Sequence, residues 1–331
     1  MLTAKTPEEL YEYGDEKALT KQFRVLASIH HPDKGGDAID FALVKQLYNE
    51  ALVKIQSGYP WESPTSVTWQ GSIAKMRLSY RLKRKFELGT EFVGESRILY
   101  SMDDGNADMI ENAVRMLKLS HQNLGPNDKL KRINDKLIPG IADCTASAKH
   151  PTLLIGKKVE EIPLKAVFDT RGAIPEVHIM WMIGRMMHLL CYLEWAGIVH
   201  GNITPASFYV NLEYHSLHLY GGWWYSALKG EKFKALPART LRYVSAPYKA
   251  ETRLDWELAR QTVVELLGHR SPVELKMRKD LNPGIVNFLV SPWSAKSATD
   301  LYGQWEHVRD SFGPRKFVKF AIDGKLVLND E

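Results

Sequence analysis

Cysteine is scarce: Cys144 and Cys191 are the only two in 331 residues, far apart and without C-x-x-C spacing. That argues against a disulfide framework or a zinc ribbon and fits a reducing, cytoplasmic setting. Long apolar runs are missing as well. No stretch reaches ~18 uncharged apolar residues, and none follows a basic start, so the expectation is a soluble, unprocessed chain with no membrane partner. Nor does one sign of charge dominate: 44 basic residues against 39 acidic give +5. A pI near 8.9 permits an acidic partner. The scattered basic residues do not demand nucleic acid. What the chain does have is 44% hydrophobic residues and nine tryptophans, enough for sizeable cores, over a length that suits two domains.

The N-terminal pattern is helical. Leu19, Phe23, Leu26 and His30 recur at steps of three and four, predicting a helix over 15–31 with one apolar face, while Lys17, Lys21 and Arg24 share another. Gly14 or Asp15 can start it and Pro32 ends it. A second helix is predicted over 39–56, its stripe formed by Phe41, Val44, Tyr48, Ala51, Leu52 and Ile55. A short helix with Pro7 at its first turn precedes both, over Pro7–Tyr13. Antiparallel packing would leave 32–38 at the tip of a helical hairpin. Pro32 fixes a turn there, and His31 and Asp33 offer polar groups.

The segment Lys21-Gln22-Phe23-Arg24-Val25-Leu26-Ala27, followed by His31-Pro32-Asp33, resembles the second helix and loop of the J-domain family; Phe41–Ala51 resembles its third helix. The resemblance covers about 1–57. It implies docking to a DnaK-type (heat-shock seventy class) chaperone through Lys21 and Arg24, with His31, Pro32 and Asp33 stimulating ATP hydrolysis in that partner. The first helix is short and no fourth is visible.

A Pro/Gly/Ser-rich stretch over 58–66 reads as a linker. Strand-like runs follow at about 66–88 and 96–102, and a helix over 106–119 with Asn106 as its expected cap and Ile110, Val114 and Leu117 on its apolar face. A long helix over Pro175–Ala196 is predicted to present Val177, Met180, Trp181, Gly184, Met187, His188 and Cys191 on one face. Its methionines (Met180, Met182, Met186, Met187) suit core filling rather than a soft-metal site. Then come Gly197-Ile198-Val199-His200 and two short strands, Phe208–Val210 and Leu217–Tyr220.

That order resembles the catalytic loop of the protein-kinase fold, over about 66–270. Position by position the resemblance implies lost chemistry. His200 matches the family's His. Asn202 stands where the catalytic Asp belongs, and an amide cannot accept a proton as a carboxylate does. Ser207 replaces the metal-binding Asn. The magnesium segment reads Leu219-Tyr220-Gly221-Gly222-Trp223, without the hard anionic oxygen magnesium prefers. Tyr100 falls near the ATP-contacting lysine's place, and Glu111 near that of its glutamate partner. No Gly-x-Gly-x-x-Gly is present; Gly89 and Gly94 are too sparse to cradle phosphates. Ser245-Ala246-Pro247 followed by Asp255 resembles the end of the activation segment, which implies that Asp255 anchors the His200 loop.

The expected architecture is therefore multidomain: an all-α helical-hairpin J-domain (1–57), a linker (58–66), an α+β bilobal protein-kinase-like domain (67–315) and a C-terminal β-hairpin (316–331) turning at Asp323-Gly324. J-domain and kinase-like fusions resemble bacterial and bacteriophage arrangements. The basic block Arg81-Leu82-Lys83-Arg84-Lys85 is expected on a solvated strand edge. Trp223-Trp224-Tyr225, Trp181 and Trp195 are expected in a packed core. Asn202-Ile203-Thr204 matches a glycosylation acceptor, with nothing else pointing to secretion.

Three functions compete on this sequence. The first is a co-chaperone adaptor that stimulates a chaperone's ATPase and binds an unknown client through a pseudokinase domain, with no catalytic residue, metal or cofactor of its own. The second is an atypical kinase or nucleotide-binding enzyme in which Asp103, Asp104 or Glu213 supplies the missing carboxylates. The third is a nucleic-acid-associated binding module.

Overall fold

The computed structural model describes residues 2, 4–11, 16–56, 66–122, 137–159, 161–313 and 317–320. Contacts divide the chain into two compact units, Met1–Val67 with Ser79–Arg81, and Thr68–Leu78 with Leu82–Glu331.

The first unit is helical: α1 (Pro7–Leu10), α2 (Glu16–His30) and α3 (Ala38–Gln56). Its small core gathers Tyr11, Leu19, Leu47 and Ala51, with Phe23 and Leu26 packed against them. The expected spacing on α2 thus delivers Leu19, Phe23 and Leu26 to one side. Leu47, outside the stripe expected for α3, is nevertheless fully buried. Polar contacts staple the helices. The Tyr11 hydroxyl donates to the Val44 carbonyl at 2.7 Å. The Phe23 and Tyr48 rings stack at 4.2 Å, and Lys54 pairs with the buried Glu8. The expected starts at Gly14 and Asp15, the end of the short helix beyond Tyr11, and the 58–66 linker apart from Ser66 lie outside the described residues.

The second unit opens with a two-stranded sheet, β1 (Ser66–Gln70) and β2 (Lys75–Ser79). An antiparallel five-stranded sheet follows in the order β3 (Leu82–Phe86), β4 (Gly89–Val93), β5 (Arg97–Met102), β7 (Thr152–Gly156), β6 (Ile141–Thr145). β4 falls between the two runs legible in the sequence. Gly89 opens it because a Cβ there would sit 2.2 Å from the Ser101 carbonyl oxygen; it serves close strand approach, not a phosphate. The helix α4 (Ala107–Gln122) buries Met109, Ile110, Ala113, Met116 and Leu117 in the same core as this sheet. Its expected cap differs: the Asn106 side-chain amide donates to the Asp103 carbonyl at 3.0 Å.

Beyond β7 the unit is mainly helical: α5 (Leu164–Arg171), α6 (Glu176–Trp195), α7 (Ala238–Leu241), α8 (Thr252–Leu266), α9 (Pro283–Val290) and α10 (Ala298–Asp310). A small sheet runs β11 (Ser216–Leu219), β10 (Phe208–Asn211), β8 (Ile162–Pro163), and β12 (Ala227–Leu228) pairs with β9 (Ile198–Val199). α6 packs on α8 and α10. Its buried side includes Ile179, Met182, Ile183, Met186, Leu189, Leu190 and Leu193; of the expected face Met187 is buried with them, whereas Val177 and His188 are exposed. A helix that is apolar nearly all round gives no dominant stripe, so neighbours choose its orientation. Trp223, Trp224 and Tyr225 are buried as expected, whereas Trp195 is half exposed. Phe317–Phe320, in the expected terminal hairpin, pair with no strand among the described residues; the turn at Asp323-Gly324 lies outside them.

Candidate functional site

Each unit carries one constellation. In the first, Pro32–Lys34 form a single 3-10 turn between α2 and α3. Its geometry is overdetermined. The His31 carbonyl accepts the N–H groups of Lys34 at 2.9 Å and Gly36 at 3.0 Å. His31 Nδ1 accepts the Asp33 N–H at 3.2 Å, and the His31 ring meets Phe41 edge-on at 4.8 Å. Gly35 closes the turn at φ 85° in the left-handed region, where L side chains are strained. A Cβ at Gly36 would sit 2.2 Å from the His30 carbonyl carbon. The turn is rigid, yet the Asp33 side chain is 89% exposed. Lys17, Lys21 and Arg24 are exposed along α2, with no ion pair among the described residues. The structure therefore brings together a basic helix face and a fixed, solvent-facing His-Pro-Asp turn.

In the second unit, β9 leads into the His200 loop. Asp255 on α8 is buried, and its carboxylate accepts the N–H of His200 at 2.7 Å and of Gly201 at 2.9 Å. Burial pushes the Asp255 carboxyl up to about 7, against the opposing pull of those two bonds. Burial likewise pushes His200 down to about 3, so its ring is neutral. Its Nδ1 accepts the Asn202 N–H at 3.3 Å, and its ring lies edge-on to Trp223 at 5.0 Å.

The residues that the resemblance matches to catalytic and metal positions make local contacts here. The Ser207 hydroxyl donates to the Thr204 carbonyl at 2.8 Å and accepts the Thr204 N–H at 2.9 Å. Gly222 sits at φ 90°, and a Cβ there would lie 2.9 Å from both Asn202 Nδ2 and His200 Cε1. A Cβ at Gly221 would lie 3.3 Å from the Tyr100 hydroxyl. A side chain at Gly222 would be strained at that φ and would require the Asn202 and His200 side chains to shift. Asp103, Asp104 and Glu213, the carboxylates considered as substitutes, are all exposed, Asp104 facing His150 at 3.2 Å. Among the described residues, no three His, Cys, Asp or Glu side chains cluster as metal ligands.

Four further residues carry this region. Arg84, Glu91 and Tyr100 form one cross-strand row on β3, β4 and β5. Arg84 and Glu91 make an ion pair, Glu91 being only 2% exposed. Arg84 also donates to the Ala206 carbonyl at 2.9 Å, and Tyr209 donates to Glu91 at 2.8 Å. The expectation of a solvated basic edge thus fails at Arg84. Leu82, Arg84 and Phe86 alternate onto the inward face, and that period-two signal was present in the sequence. Tyr100 stands beside Trp224 at 5.0 Å and Phe86 at 6.0 Å. Glu111 is exposed and does not reach Tyr100. The polar residue that α4 buries is its neighbour Asn112, which donates to the carbonyls of Trp224 at 3.0 Å and Ser226 at 2.8 Å.

No family model and no curated protein matches this sequence. A solved structure, that of vaccinia related kinase 3, matches with a TM-score of 0.50 at 11% identity, covering 75% of this chain and 92% of that one. Identity that low transfers architecture and no activity. Antiparallel five-stranded sheet with α4, long α6, the Asp255-anchored His200 loop and the β10–β11 pair together make this a chain with a protein-kinase-like fold.

Proposed function

We propose that this protein is a co-chaperone adaptor. Its first unit acts as a J-domain that engages a DnaK-type chaperone through Lys21 and Arg24 and stimulates its ATPase with the His31-Pro32-Asp33 turn. Its kinase-like unit serves as a scaffold for a client or partner and transfers no phosphate itself. The observation that carries the reading is the rigid, exposed turn at the tip of a two-helix hairpin beside a basic helix face that makes no ion pair among the described residues. A loop held this way can meet a partner without first losing conformational freedom.

The loss of phosphotransfer in the second unit is supported by chemistry at matched positions. Asn202 offers no general base. The Arg84–Glu91–Tyr209 network and the Tyr100–Phe86–Trp224 aromatic cluster occupy the region between sheet and catalytic-loop equivalent with the protein's own side chains. A soluble, cytoplasmic setting completes the proposal; among the described residues, no helix is long and apolar enough to cross a membrane.

The test is single-turnover ATP hydrolysis by a purified DnaK-type chaperone. Wild-type protein should accelerate it several-fold, and His31→Gln should abolish the acceleration with an unchanged circular dichroism spectrum. Absence of stimulation by the wild type overturns the chaperone assignment. Phosphate transfer from Mg-ATP by the protein alone would overturn the assignment of the second unit.

A further inference from the structure

Between the C-terminal end of α6 and the first turns of α8 and α10 lies an open recess of about 460 Å³. Its walls include Glu194, Asp300, Lys229, Arg253, Lys296 and Trp256. Two acids and three bases leave the walls with a small positive charge, and the hydrogen bonds divide them. Both carboxylates are engaged with backbone: Glu194 Oε2 accepts the Ala298 N–H at 2.5 Å, and Asp300 Oδ2 accepts the Lys296 N–H at 2.9 Å. Ser297 returns the favour as the helix cap, accepting the Asp300 N–H at 3.1 Å. These groups close the N-terminus of α10 in a reciprocal capping arrangement.

The three cations have no such partner. Among the described residues, Lys229, Arg253 and Lys296 make no ion pair and no side-chain hydrogen bond. The hydroxyls of Thr252 and Ser294, also on the walls, are likewise unengaged. Trp256 is only 3% exposed, and its indole N–H has no acceptor among the described residues. This N–H is available to whatever occupies the recess. The 15-residue helix α8 adds its own open first turn, since Glu251 supplies no side-chain cap.

Cations, hydroxyls, an indole N–H and an open helix start are all donors, and each wall carboxylate already accepts one backbone N–H. We infer that this recess binds a phosphate group carried by a small molecule, with Arg253 and Lys296 as its principal contacts. The guanidinium fork matches a tetrahedral oxyanion two bonds at a time. The volume exceeds what a bare phosphate needs and falls in the range of small-ligand sites, roughly 300–1,000 Å³. The inference rests on the kinase-like unit alone and stands whether or not the first unit engages a chaperone.

The full-length protein, titrated calorimetrically with inorganic phosphate and with phenyl phosphate in physiological salt, should bind one equivalent of each saturably. Arg253→Gln and Lys296→Gln should each weaken binding about tenfold, as loss of one charge-assisted contact implies. Lys276→Gln, an exposed cation outside the recess, should leave it unchanged. Tighter binding of phenyl phosphate identifies a phosphate monoester as the ligand, and equal binding identifies free phosphate. Failure of both probes to saturate by about 10 mM, or binding indifferent to both recess substitutions, overturns the inference. Chaperone stimulation assayed on the same variants should stay at the wild-type level, separating the two tests.

Discussion

Asp255 holds His200 by its backbone rather than by its ring: one carboxylate oxygen takes the His200 N–H at 2.7 Å, and the other takes that of Gly201 at 2.9 Å. The loop is thereby fixed to α8. Asp255→Asn can satisfy only one of these N–H groups and points an amide donor at the other. An unmet buried donor costs about 1–3 kcal/mol, so denaturant unfolding should show a loss of that size. Unchanged stability would contradict the anchoring role.

Arg84 and Glu91 form a second buried tie. Removing one partner leaves an uncompensated charge, and Arg84→Ala or Glu91→Ala should each destabilise by roughly 3–5 kcal/mol. An apolar pair of similar volume, Arg84→Met with Glu91→Leu, should lose much less than the sum of the two single changes, because neither charge is then stranded. A double-mutant cycle by equilibrium denaturation measures the difference. Strict additivity would show that the two residues do not interact.

At the tip of the hairpin, steric cost separates two adjacent glycines. Gly35→Ala adds strain at a positive φ, about 1–2 kcal/mol. Gly36→Ala drives a Cβ into the His30 backbone, whose atoms cannot yield without moving the turn. Thermal melts should therefore rank Gly36→Ala as the more damaging. Equal melting temperatures would mean that the turn is not held as described.

The basic face of α2 should act at long range. Lys21→Glu with Arg24→Glu should weaken chaperone binding more than tenfold at low salt, and the gap to wild type should narrow as ionic strength rises. Because both side chains are exposed, stability should change little. Surface plasmon resonance across a salt series reads both outcomes. A salt-independent defect would point to misfolding instead.

Burial pushes the His178 ring down to about 4, with the charges of His215 and Arg171 adding to the effect. Its folded value lies below the unfolded 6.5, so the unfolded chain takes up the proton first. The stability tied to neutral His178 is whole above pH 6.5 and is lost as pH falls towards 4. His200 acts in the same direction over a wider window. Asp255, raised to about 7, acts oppositely, because its protonated form is favoured in the folded state. His178→Gln should therefore flatten the fall in stability between pH 7 and pH 5 relative to wild type. Equal slopes would show that His178 is not held neutral.

The sequence was legible wherever local spacing carries the information. Leu19, Phe23 and Leu26 at helical steps placed α2, and Pro32 with Gly35 marked the turn. Order along the chain, from α6 through His200 to β10 and β11, exposed the kinase-like outline before any coordinate.

What remained hidden depends on neighbours distant in sequence. Arg84 looked like one member of a basic block; alternation puts it on the face of Leu82 and Phe86, but only cross-strand register supplies its partner Glu91. Asn112 rather than Glu111 faces the core because packing fixes the rotation of α4, and one position moves a side chain by about 100° around a helix. α6 is apolar on nearly every side, so its buried face was set by α8 and α10. The donors around the recess come from three separated stretches of chain. Local physics of the backbone and the residue pattern determined the elements. Which polar groups are satisfied, and which are left facing a ligand, was decided only when those elements packed.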